Sequence, residues 1–94
     1  MARFQEIVKC EKGRWTELSD ADVTEISFEA LNVPIYVRVT DSPTEPTERV
    51  GFSYPAFTGE SCIGLDQISK LPDAIRLWAR PVDADFANVI VDQA

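Results

Sequence analysis

Histidine is absent from this 94-residue chain, and cysteine, glycine and methionine are scarce, at two, four and one. Without an imidazole, Ser53, Ser61, Cys10 and Cys62 lack the usual general base, so triad-type nucleophilic catalysis has no support. Lys9, Lys12 and Lys70 form no serine–lysine pattern, and Gly59-Glu-Ser-Cys62 imitates a nucleophile turn without its second glycine. Zinc meets the same shortage, since two distant cysteines do not complete four ligands. The expectation is a non-enzymatic chain with no metal and no cofactor.

Cations are also in deficit. Nine Lys and Arg against 16 Asp and Glu give a formal charge of −7, which repels a phosphate backbone. The densest basic group, Lys9, Lys12 and Arg14, is interrupted by Glu11, so no nucleic-acid partner is expected. No apolar run approaches roughly 20 residues, and Met1–Glu6 lacks the apolar core of a signal peptide. The reading is a protein made in a cytosol, off the membrane, where Cys10 and Cys62 are expected as buried free thiols rather than a bridge.

What is present is two-residue periodicity. In Val33-Pro-Ile-Tyr-Val-Arg-Val-Thr40 the β-branched residues fall on one face, and Tyr36, Arg38 and Thr40 on the other, which marks a half-buried strand. Ile26, Phe28 and Ala30 alternate with Glu25, Ser27 and Glu29, and outweigh a partial helix-capping pattern at Ser19–Asp22. These two runs, separated at Asn32, predict an antiparallel hairpin or a bulged continuation. Further strands are predicted in Arg3–Val8, Trp15–Leu18, Val50–Tyr54, Ala74–Arg80 and Phe86–Val91. The last two are joined by Pro81–Asp85 as a closing hairpin. Pro55–Gly64 reads as irregular or a short edge strand, and Leu65, Ile68 and Leu71 allow one helical turn before Pro72.

Asp41-Ser-Pro-Thr-Glu-Pro-Thr-Glu48 is the clearest loop, with Glu45 and Glu48 expected to keep it hydrated. Together these runs predict one all-β domain over residues 1–94, a small sandwich or barrel-like fold of about six to eight short strands. A chain this short buries only about 60–65% of its unfolded surface, so partner subunits are an expected source of stability.

Alternate acids at Asp20/Asp22 and Asp83/Asp85 lack the later ligands and central glycine of a calcium loop, and read as turn chemistry. The aromatics are the remaining candidates. Trp15 suits packing between two sheets. Trp78 lies out of phase with Leu77, beside Arg76 and Arg80, and both interface and core remain open for it. A strand reading Arg-Leu-Trp-Ala-Arg buries both faces only when its outer face meets another surface. The candidate interface residues are therefore Trp78, Arg76 and Arg80, with Phe52, Tyr54 and Phe57 as a second aromatic set.

The Trp15-Thr-Glu-Leu18 segment, the Pro-containing polar loop, Arg76-Leu-Trp-Ala-Arg80 and the terminal Asn88-Val-Ile-Val-Asp92 follow one another in a familiar layout. The layout resembles the small β-rich accessory virion proteins of tailed bacteriophages, of the head-decoration and head-fibre type. The Pro-rich loop and the two cysteines depart from that pattern, and no functional residue carries over. The resemblance implies a structural, cement- or fibre-like protein located in the virion, made in the host cytoplasm. It implies self-association, with a trimer favoured, and attachment to the major capsid protein or another virion protein. A carbohydrate- or receptor-binding module, stacking Trp78 or Phe52, Tyr54 and Phe57 on sugars, is the alternative.

Overall fold

A computed structural model of the chain describes residues 5–93, and of Gln93 the backbone only. The strands are β1 (Glu6–Glu11), β2 (Thr16–Glu17), β3 (Glu25–Ala30), β4 (Ile35–Thr40), β5 (Phe52–Tyr54), β6 (Gly59–Gly64), β7 (Arg76–Pro81) and β8 (Phe86–Gln93). One helical turn, α1 (Leu65–Ile68), follows β6 and buries Leu65 and Ile68, while Leu71 stays exposed. The fold is an all-β sandwich. Arg3 and Phe4, the start of the expected first strand, lie outside the described residues.

Sheet A has the order β1-β8-β3-β6 and sheet B the order β2-β7-β4-β5, all antiparallel. The pairs β1·β8, β2·β7, β3·β6 and β4·β5 are the rungs of one long hairpin. Rolling that hairpin adds β3·β8 and β4·β7 and produces the eight-stranded jelly roll. The expected hairpins at Asn32 and at Pro81–Asp85 are corrected accordingly. β3 and β4 lie in different sheets, as do β7 and β8, so both connections are arches across the sandwich. Alternation within each strand is the same whether the next strand pairs with it or crosses over, so periodicity alone does not separate the two.

Alternation does set the core. Ile35, Val37 and Val39 of β4 and Leu77 and Ala79 of β7 face Ile26, Phe28 and Ala30 of β3 and Ala87, Val89 and Val91 of β8. Cys10 and Val8 of β1 complete that layer, and Leu18, Val23, Leu65 and Ile68 close one end. Close backbone approach is needed at Gly59, where a Cβ would collide with the Phe28 carbonyl. Cys62, expected inside, is exposed: it sits at φ 51 beside an irregularity in the β3·β6 pairing. An extra residue in an edge strand re-aims its neighbours, and this one turns the thiol outward.

Candidate interaction surfaces

In sheet B the register places Trp15, Glu17, Arg76, Trp78 and Arg80 on the outer face, with Tyr36, Arg38 and Thr40 of β4 beside them. Trp15 is thus corrected from the inter-sheet core to the outside of the sheet. Both tryptophans are nevertheless covered, Trp15 at 3% exposed and Trp78 at 6%. Their cover is the chain's own Pro-rich loop, which returns across the sheet as a strap.

Side chains on both sides hold the strap down. The Trp15 amide donates to Glu45 Oε2 at 3.0 Å, and the Trp15 indole N–H donates to the Glu48 carbonyl at 2.6 Å. Arg14 pairs with Glu45 at 3.5 Å, Arg38 pairs with Glu48 at 3.6 Å, and Arg38 Nη1 donates to the Val50 carbonyl at 2.8 Å. The two glutamates expected to hydrate the loop are therefore its anchors. The Arg80 guanidinium lies 5.5 Å from the Trp15 ring centroid, a cation–π distance. A shallow depression of about 540 Å³ remains between Pro43, Glu45 and the two tryptophans.

Arg76 is also engaged within the chain. Its Nη1 reaches Glu17 at 2.7 Å and its Nη2 reaches Asp22 at 2.8 Å, and these hydrogen bonds raise its pKa further above the ordinary guanidinium value. The buried Ser19 hydroxyl donates to Glu17 and accepts from the Leu77 amide at 3.0 Å, tying the β2–β3 connection to β7. Thus Trp78, Arg76 and Arg80 come together on one face, with Trp78 covered and Arg76 paired to Glu17 and Asp22 of the same chain.

The second aromatic set is dispersed. Tyr54 turns inward, meets Phe28 edge-on at 5.1 Å, and donates its hydroxyl to Glu60 at 3.1 Å. Burial, with the Glu60 carboxylate as acceptor and neighbouring charge, pushes its pKa up to about 12. Phe52 is 53% exposed on β5, a strand whose other edge is unpaired among the described residues; Val50 and Ser69 line the cleft beside it. Phe57 stands beyond the opposite end of β5 and is 75% exposed, with φ 66.

Phe57 is held firmly despite that exposure. Its amide donates to Ala30 at 2.7 Å, the Ala30 amide donates to Thr58 at 2.9 Å, and the Thr58 hydroxyl donates to Pro55 at 2.7 Å. Sheet A adds Ile7, 59% exposed, opposite the half-buried Ile90, with Glu29 on the far side of Ile90 and Asp92 opposite Ser27. Nothing in the local sequence around Ile7 or Val50 distinguishes them from core residues, so sequence reasoning misses both. For Phe57 only its Pro-Ala-Phe-Thr-Gly setting signals a turn.

Among the described residues, no group of acids and thiols is disposed to hold a metal ion, and no helix is long and apolar enough to cross a membrane. Comparison with known proteins returns no matching family model, no similar curated protein and no similar solved structure.

Proposed function

We propose that the chain is a non-enzymatic structural subunit of a tailed-phage particle, a decoration or fibre-like protein that self-associates and attaches through exposed aromatics. The observation that carries this reading is Phe57. A left-handed backbone costs a bulky residue roughly 1–2 kcal/mol, yet here it presents the most exposed large hydrophobic side chain among the described residues. Strain of this kind persists where the surrounding structure over-determines it, and it clusters at functional positions. An aromatic fixed in advance loses little freedom on docking, which suits an anchor at the centre of a contact.

The jelly-roll topology agrees with this by analogy, being common to capsid and lectin domains. The test is physical association with particles. An antibody to the purified chain should detect it in phage particles from the source culture after density-gradient banding, and Phe57→Ala should reduce that co-banding. A chain abundant in cells and absent from banded particles refutes the assignment. Saturable glycan binding abolished by Phe57→Ala would replace it with the carbohydrate-binding alternative.

A further inference from the structure

We propose that the depression between the strap and the β1–β2 turn binds a small, doubly charged tetrahedral oxyanion, a phosphate or sulfate group that is free or carried on a small molecule. Its volume is about 390 Å³, and Arg14, Arg49 and Arg80 line it together with Trp15, Glu45 and Glu48. Three separate parts of the chain thus bring an arginine to one place: the β1–β2 turn, the end of the strap, and β7. A guanidinium is a rigid fork of donors that matches the oxygens of such an anion two at a time.

Trp15 is the hub of the cluster. Arg14 precedes it in the chain, Arg49 follows Glu48, whose carbonyl accepts the Trp15 indole N–H at 2.6 Å, and the Arg80 guanidinium lies 5.5 Å from the ring centroid. Because Trp15 is buried, all three arginines start from positions referred to one fixed side chain, which limits what must be ordered on binding. The two carboxylates are already engaged. Glu45 accepts the Trp15 amide on Oε2 and pairs with Arg14 through Oε1 at 3.5 Å, and Glu48 pairs with Arg38 at 3.6 Å. Among the described residues, no carboxylate pairs with Arg49 or Arg80.

Charge selects the ligand. Around the base of the strap four arginines face two glutamates, an excess of two positive charges in a chain whose formal charge is −7. Two unpaired guanidiniums match a dianion better than a single carboxylate. The acidity of the rest of the chain sets the size: a long polyanion leaving the depression meets repulsion, whereas a compact ion stays within the positive patch. The site does not depend on attachment to particles or on self-association.

The test is equilibrium dialysis of the purified chain against radiolabelled inorganic phosphate, with sodium chloride holding the ionic strength constant. Uptake should saturate at one phosphate per chain, and sulfate should compete. Arg49→Gln and Arg80→Gln should each weaken binding about tenfold or more, the loss expected for one charge-assisted contact. Lys70→Gln, which removes the same charge from a different depression, should leave binding unchanged. Arg80 packs on the Trp15 ring, so circular dichroism checks that its variant folds; Arg49 is exposed, and its variant decides the matter if the other does not fold. Glycerol phosphate as a competitor distinguishes the two sources: displacement at lower concentration than phosphate assigns the group to a small molecule, and equal or weaker displacement assigns the free ion. No saturable uptake at millimolar phosphate overturns the inference. So does equal weakening by all three variants, which marks diffuse charge attraction, or uptake that persists in both arginine variants. Heparin bound more tightly than phosphate would make the patch a polyanion surface and overturn it as well.

Discussion

The indole N–H of Trp78 donates to the Thr40 hydroxyl at 2.8 Å, joining β7 to β4 on the outer face of sheet B. Thr40 gives its own proton to the Ser42 carbonyl at 2.7 Å, so one hydroxyl both receives the indole and bends the chain into the strap. A strand with Leu77 on one face and Trp78 on the other needs cover on both sides, and the strap supplies the second cover without a partner.

Thr40→Val preserves shape and removes both bonds, leaving the Trp78 N–H covered and unpaired. The expected cost is about 1–3 kcal/mol, seen as a lower denaturation midpoint with unchanged slope. Tryptophan emission should shift to the red and become easier to quench as the strap loosens. Thr40→Ser, which keeps the hydroxyl, should retain most of the stability. Equal losses for Val and Ser would show that the relay contributes nothing.

Gly59 separates steric demand from mere turn preference. Because a Cβ there collides with the Phe28 carbonyl, Gly59→Ala should force β6 away from β3 and cost about 1–3 kcal/mol, the range for overpacking. Amide exchange should accelerate first in Gly59–Gly64. Gly13, at φ 84 with open space around it, should accept Asn with little change. Similar melting temperatures for Gly59→Ala and the parent would contradict the close approach of β6 to β3.

The strands were legible in the sequence where alternation is unbroken, as in Ile35–Thr40 and Glu25–Ala30, because a two-residue period reports directly on a half-buried face. The opposite phase of Trp78 and Leu77 was legible, but it left core and interface both open for the indole. The strap that covers that face was not legible, since Trp15 and Glu48 are 33 residues apart and nothing local links them. The left-handed conformation of Phe57 was hidden for another reason. Its residue type disfavours that geometry, so the surrounding hydrogen bonds impose it.

Tyr54 makes the alkaline limb of stability testable. Its folded-state pKa of about 12 lies above the ordinary tyrosine value of 10.0, so the folded protein holds the phenolic proton over a range where the unfolded chain has released it. The resulting stabilisation is complete below about pH 10 and declines as the pH rises towards 12. A spectrophotometric titration should show a tyrosinate step near the upper value that disappears in Tyr54→Phe. The variant should also have a flatter pH dependence of melting temperature between about 10 and 12. An unchanged upper step in Tyr54→Phe would assign it elsewhere.

The thiols should behave unequally. Cys62 is exposed and Cys10 fully buried, and neither is bridged. A thiol reagent should modify one cysteine per native chain and the second only on unfolding. Cys10→Ser places a hydroxyl in the core layer and should cost about 1–3 kcal/mol, whereas Cys62→Ser should stay within about 0.5 kcal/mol. Rapid modification of both thiols in the native state would mean that β1 opens readily from β8.

Phe57→Gly should move stability and function in opposite directions. Glycine adopts φ 66 without the steric penalty that a phenylalanine bears, and the ring it removes is 75% exposed, so little burial is lost. Relief of strain offsets the greater freedom of glycine in the unfolded chain, leaving stability equal to that of the parent or above it by up to about 1 kcal/mol. On the proposed function, attachment to particles should fall at the same time, because the proposed anchor is gone while the arch from Pro55 to Thr58 persists. That pairing marks a residue kept for contact at the expense of stability. A variant that loses stability and attachment together would show Phe57 to be a structural residue of the β5–β6 arch. A variant that keeps full attachment would remove the observation on which the proposed function rests.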